Sequence, residues 1–327
     1  VVFLFRDKAV TNVFLLLILV LAVHVHFFIA PASVVVLHNE GLIGAFLLKF
    51  IQPLNAAILF FLYIVIVLLQ AIRLNTALNN FKMFQQQHYT VAMSYILFSG
   101  FFTQWSTITP ALVANSLITW IFLKLANLNN HPSPKTLLFN TGLLSGITIL
   151  CYHPTISLVG ITFFALAIVR PFRIAEWAVL LMGLILPFYF LSSYLYLTDS
   201  IKLIKNYLPN IDFHLPLQQA NVVLWVGIGI LVSSVIAGIY YNQVNSNRMV
   251  IQIRKSWGVM LVLLLLMLPI PFIFKNATME SAALSLIPLS AFAANMYSYP
   301  KRLLFPNLMF WLSAAFLTYN NWLLVKK

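Results

Sequence analysis

Seven side chains carry the reactive chemistry of an otherwise apolar sequence. Glu40, in "HNEG", is a carboxylate able to deprotonate an acceptor hydroxyl or to hold a divalent ion beside a lipid phosphate. His38, two residues earlier, and His153, in "CYHPT", can donate to a phosphate oxygen or act as a base near pH 7. Tyr152 adjoins His153, and Gln104 lies in a second polar break, "TQWSTIT". Lys202 and Lys205, close to Tyr207 in "SIKLIKNYLPN", can serve as phosphate-binding point charges. Each also has a plain structural role: a loop acid capping the helix from Gly41, helix-end histidines bonded to carbonyls, lysines on anionic head groups.

Metal chemistry finds little support. "HVH" (His24 and His26) has the look of a ligand pair, yet residues i and i+2 of an α-helix point about 200° apart. The single cysteine, Cys151, excludes an intrachain disulfide and a cysteine cage. The expectation is therefore no metal and no cofactor, with catalysis itself left open.

These residues are set in a membrane composition. Of 327 residues, 62% are hydrophobic and 8% charged, far from the roughly one-quarter charged of soluble domains. Apolar runs recur at the ~20-residue length that crosses ~30 Å of hydrocarbon as helix. We read an all-α, polytopic transmembrane helical bundle of about 11 spans, at residues 11–30, 54–72, 89–102, 109–126, 137–152, 155–169, 176–197, 220–241, 257–274, 281–297 and 304–323. The apolar run near the N-terminus is longer than a signal peptide's and is kept as the first span. With the N-terminus cytoplasmic, most of the 19 basic residues fall in inward loops, among them Arg6, Arg73, Lys82, Lys124, Arg170 and Arg254. That bias sets orientation. It accounts for the net charge of +13 without a nucleic-acid partner. The location implied is the bacterial inner membrane, multi-pass.

The whole chain, 1–327, reads as one transmembrane domain. Its outward connections, 31–53 and 198–219, alternate apolar and charged residues and predict short helices at the membrane interface. Residues 137–169 would be roughly 50 Å long as a single helix, too long for one crossing. Pro154 lacks an amide hydrogen and disfavours helical geometry at His153, so the run predicts a hairpin with "CYHPT" at its outward tip. Residues 89–126 repeat the pattern around "TQWSTIT". Two short hairpins predict an outward depression floored by Thr103, Gln104, Ser106, Thr107, Tyr152 and His153. On the inward side, "VRPFR" (Arg170 and Arg173) marks a tight turn, and Glu176 a first-turn acid favoured by the helix dipole.

Residues 140–171, "NTGLLSGITILCYHPTISLVGITFFALAIVRP" with Gly142 and Gly146, resemble the fifth-and-sixth-helix hairpin of GT-C membrane glycosyltransferases, and "ITPALVANSLITWIFLKLA" their preceding helix. The resemblance covers roughly residues 10–195. It implies a GT-C-like part over 1–197 with an interfacial loop at 31–53, followed by the outward loop 198–219 and C-terminal helices 220–327. It also implies a first-loop carboxylate, for which Glu40 is the candidate, and a second acid before the fourth helix, where "WSTITP" has none. "LLQAIRLNTALNNFKMFQQQHYTVAMSYILFSG" and "VRPFRIAEWAVLLMGLILPFYFL" are similar to an uncharacterised multi-pass inner-membrane family of Bacteroidota. Some members of that family carry a beta-carotene monooxygenase label. Scattered histidines without a shared face do not supply the iron ligands such chemistry needs.

Three readings follow. The first is a non-catalytic or strongly divergent subunit that binds lipid, glycan or a membrane protein partner. The second is a polyprenyl-phosphate-sugar-dependent glycosyltransferase acting on the periplasmic side, with Glu40 as base and His38, Gln104, Tyr152, His153, Lys202 and Lys205 on substrate. The third is a transporter-like protein, disfavoured by the lack of paired intramembrane charges and of an inverted repeat. The missing second acid places the first reading ahead.

Overall fold

The computed structural model describes residues 1–7, 9, 11–35, 41–131, 133–201, 213, 222–274 and 279–325. These form an all-α bundle. Five helices are long and apolar enough to cross a membrane: α3 (Ala56–Asn80), α5 (Pro110–Asn127), α8 (Ile174–Leu197), α9 (Val222–Ser246) and the run Ile251–Ile273. That last run comprises α10 (Ile251–Met267) and the short α11 (Ile270–Ile273). Helices also stand at the other expected segments: α1 (Thr11–Val23), α4 (Thr90–Ser99), α6 (Pro134–Cys151), α7 (Ser157–Val169), α12 (Met279–Ala282), α13 (Leu286–Ser298) and α14 (Leu304–Val325). In the loop between α1 and α3, α2 (Leu42–Ile51) forms with Phe46 and Phe50 exposed on one side and Leu48 buried on the other.

Local chemistry sets the helix starts. Asn55 caps α3 by accepting from the Ile58 amide at 2.9 Å. Thr109 caps α5 by accepting from the Leu112 amide, and Pro110 fills the first helical position, where a missing N–H costs nothing. Pro134 opens α6 in the same way.

The hairpin break falls where the proline requires it. Helix α6 ends at Cys151, Tyr152 is extended (φ −147°, ψ 111°), and His153–Ile156 make one 3-10 turn before α7. The Thr155 amide and hydroxyl both donate to the Tyr152 carbonyl, at 3.1 and 2.7 Å, which closes the turn. The "TQWSTIT" tip also holds a 3-10 turn, Thr103–Ser106.

Packing explains the small-residue motif. Helix α6 lies closest to α8, and a Cβ at Gly142 would strike the Leu180 carbonyl. One at Gly146 would meet Leu184 and Pro187, and one at Gly183 would meet Phe139. These glycines let two backbones approach, the way membrane helices gain dispersion contact without a hydrophobic driving force. One continuous apolar cluster then draws residues from Val2 to Leu317, including Leu16, Val67, Phe98, Ile118, Leu263 and Ala291. Outer faces remain apolar and exposed, as at Met182 and Tyr189 on α8 and Ile236 on α9.

At the end opposite the tips, the "VRPFR" turn is locked. Arg170 Nε donates to Glu176 Oε2 at 3.0 Å and its Nη1 to the Leu128 carbonyl at 3.1 Å, while Arg173 approaches Glu176 at 3.9 Å. Glu176 is only 3% exposed, so its charge is compensated by both arginines.

Candidate functional site

The loop between α1 and α3 is tied to both tips. Ile108 donates to the Ser33 carbonyl at 3.0 Å and accepts from the Val35 amide at 3.2 Å, a single parallel bridge centred on Val34. The Gly41 amide donates to the Cys151 carbonyl at 3.1 Å. Gly41 and Gly44 lie directly against the backbone of Leu150 and Cys151, leaving no room for a side chain. His38 and Glu40 fall outside the described residues, as do Lys202, Lys205 and Tyr207.

Of the tip residues expected to floor a depression, Tyr152 (1% exposed), His153 (4%) and Ser106 (4%) are covered, as is their neighbour Trp105 (4%), while Thr103, Gln104 and Thr107 are half-buried. Gln104 is half-buried, taking the Thr103 hydroxyl on its side chain and the Thr107 hydroxyl on its backbone carbonyl. His153 Nε2 finds no hydrogen-bond partner. At the first tip the Phe102 and Trp105 rings meet edge to face at 4.7 Å, and Phe101 is buried beside them.

Beneath the tips lies a polar network that the sequence reading did not assemble. Helix α1 stops at Val23 because His24 leaves helical geometry (φ −105°, ψ 29°), and a 3-10 turn follows over Val25–Phe28. An unbroken helix through residue 30 would separate His24 from His26; the turn brings their ring centres to 6.0 Å, and both are buried. His24 Nδ1 bonds the Val20 carbonyl at 3.0 Å, and its Nε2 lies 3.2 Å from the Tyr63 hydroxyl. Tyr63 also reaches the Trp105 carbonyl at 3.0 Å. Deeper in the bundle, Tyr95 donates to Gln70 Oε1 at 2.7 Å, and Gln70 Nε2 donates to the Leu112 carbonyl and to Ser116 Oγ, both at 2.7 Å. Among the described residues no group of three or more His, Cys, Asp or Glu is placed to hold a metal ion.

Beside this network runs an apolar groove of about 340 Å³ between α1, α4 and α14. Leu19, Ala22, Leu97, Phe310, Ala314 and Leu317 line its length, and His26, Thr318 and Asn321 stand at its tip end. Asn321 is anchored through Nδ2 to the Val23 carbonyl at 3.1 Å, and the neighbouring Asn320 to the Phe101 carbonyl at the same distance. Asn321 stands within interaction range of His26, yet His26 Nδ1 and Asn321 Oδ1 both remain without a completed hydrogen bond. The trough is thus apolar along its length and ends at two under-satisfied polar groups.

One acid absent from the "WSTITP" stretch arrives from elsewhere. The Trp105 indole N–H donates to the Met279 carbonyl at 2.8 Å, which sets Glu280 beside the first tip. Its Oε2 is buried without a partner, and burial pushes the carboxyl above its ordinary range. The sequence signal for it is slight: one acid just before an apolar run, distant along the chain from the residues it joins. His26 and Asn321 had a clearer mark, since histidines and paired asparagines inside apolar spans are costly to keep.

No curated protein and no solved structure matches the chain. A family described as "Family of unknown function (DUF6427)" matches residues 32–323. With a match running from the loop before α2 into the last helix, the chain belongs to that family.

Proposed function

We propose that this protein is a multi-pass inner-membrane subunit that binds lipid without transforming it, with its N-terminus cytoplasmic and the hairpin tips facing outward. The observation that carries this reading is the groove between α1, α4 and α14, apolar along its length and ended by His26 and Asn321. The covered tip residues, Tyr152 and His153 above all, favour binding over an open catalytic depression at that place. Eleven crossings and a GT-C-like arrangement belong to the same proposal. The experiment is native mass spectrometry of the purified full chain, counting retained lipids. Ala314→Phe fills the groove, so it should abolish one tightly held lipid at unchanged thermal stability. Retention equal to wild type would remove the groove from the reading.

The placement of Glu280 favours a second reading, a polyprenyl-phosphate-dependent glycosyltransferase in which Glu280 supplies the carboxylate missing from the tip and Glu40 the first-loop base. His38, Gln104, Tyr152, His153, Lys202 and Lys205 would be its substrate contacts. Loss of cellular function in Glu280→Gln and Glu40→Gln, at unchanged expression, would put this reading first.

A further inference from the structure

A second cavity, of about 220 Å³, opens between α3 and α5 on the other half of the bundle, lined by Ile66, Leu69, Gln70, Arg73, Ser116 and Thr119. Its lining follows helix geometry. Residues 66, 69, 70 and 73 share one face of α3, and 116, 119 and 120 one face of α5. The Arg73 guanidinium stands 5.9 Å from the Trp120 ring centre, and Lys124 Nζ stands 5.7 Å from the same ring.

Two cations thus flank one half-exposed indole with no acid between them. Both ion pairs among the described residues belong to Glu176, and neither Arg73 nor Lys124 makes a hydrogen bond to the protein there. Trp120 is 44% exposed and Arg73 is exposed, so the site is open at the bundle's outer face. Arg73 lies about 10 Å along α3 from its end at Asn80, the depth at which a long cationic side chain snorkels to head-group level. Above it, Ile66 and Leu69 continue as an apolar wall. Ser116 accepts from Gln70, which leaves its own hydroxyl proton for another acceptor.

We infer that this cavity is a binding site for one anionic phospholipid of the inner leaflet. Its phosphate would sit between Arg73 and Lys124, an ester oxygen would accept from Ser116, and an acyl chain would lie along Ile66 and Leu69. Two cations gathered at one indole draw an anion to it, and a tryptophan at the interface fits the glycerol level of a lipid. A lipid supplies both the phosphate and the chain that the apolar wall requires.

The test uses the purified full chain, titrated with phosphatidylglycerol and with phosphatidylcholine and read by native mass spectrometry. Wild type should retain one phosphatidylglycerol in preference to phosphatidylcholine. Binding should weaken about fivefold in Arg73→Gln or Lys124→Gln and roughly 30-fold in the double variant. Arg73→Lys keeps the charge and should keep the preference. Equal retention of the two lipids by wild type, or undiminished retention by the double variant, would overturn the assignment. So would displacement by millimolar inorganic phosphate, which would make the site one for a free ion. Ala314→Phe should leave this lipid in place, so failure here is distinct from failure of the groove reading.

Discussion

The Tyr63 hydroxyl stands 3.2 Å from His24 Nε2 and 3.0 Å from the Trp105 carbonyl, one proton facing two acceptors. His24 Nδ1 bonds a carbonyl, which only accepts, so the ring carries its proton there and a neutral ring leaves Nε2 as a lone pair. Tyr63→Phe removes the shared donor and strands both acceptors in a fully buried place. We expect a loss of about 1–3 kcal/mol in denaturant unfolding. Unchanged stability would mean that the hydroxyl contributes nothing to holding the end of α1 against the tip.

The α6–α8 contact predicts a steep steric cost. Gly142→Leu would drive a side chain into the Leu180 carbonyl, an atom held by its own helix. Destabilisation of several kcal/mol is expected, with loss of folded protein on purification. Gly229→Ala is the matched control: nothing lies within 4 Å of its added methyl group, and helix propensity alone favours alanine by up to about 1 kcal/mol. Equal behaviour of the two variants would refute close packing at Gly142.

His88 gives the fold an acid limit. It lies in the connection between α3 and α4, where burial, with a smaller push from the Arg6 charge, lowers its imidazole to about 4. Its backbone carbonyl holds Asn75 and Asn79, and its Nδ1 meets the Thr90 hydroxyl at 2.9 Å. A histidine depressed in the folded state contributes stability above its unfolded value, and that stability is lost as pH falls from about 6.5 toward 4. The loss should amount to roughly 3 kcal/mol. Thermal midpoints recorded from pH 7 to pH 4 should fall, and His88→Gln should flatten that slope.

Glu280 has the opposite sign. Its carboxyl is raised by burial, so folding favours the protonated form, and the benefit disappears as pH rises through its folded value. Glu280→Gln should therefore raise the thermal midpoint at pH 7 and leave it unchanged near pH 4. A fall at pH 7 would instead place a cation on the carboxylate that the described residues do not supply.

Much of the architecture was written in local chemistry. Pro154 ends α6 where a residue without an amide hydrogen must, and Thr109 with Pro110 starts α5 where a capping pair should. The apolar runs became helices because a helix satisfies its backbone groups within one segment, as hydrocarbon demands. What sequence could not supply was tertiary. Gly142 and Gly146 read as part of a hairpin motif, yet their partner is α8. Glu280 reaches the first tip only through the fold, by way of the Trp105 indole. An α-helix continuing past Val23 would set His24 and His26 apart, whereas the 3-10 turn over Val25–Phe28 brings their ring centres to 6.0 Å. Of the seven residues chosen for chemistry, Gln104, Tyr152 and His153 are placed at the tips, while His38, Glu40, Lys202 and Lys205 lie outside the described residues.

Helix α3 carries Tyr63, Gln70, Asn75 and Asn79, which bond in turn to the end of α1 and the first tip, to α5 and α4, and to the connection that follows α3 itself. A purely apolar helix can slide or roll against its neighbours at little cost, but a helix keyed at four heights has neither freedom. It behaves as a stator. Any motion inside this protein must then leave α3 in place, since displacing it would break the hydrogen bonds of Tyr63, Gln70, Asn75 and Asn79 together.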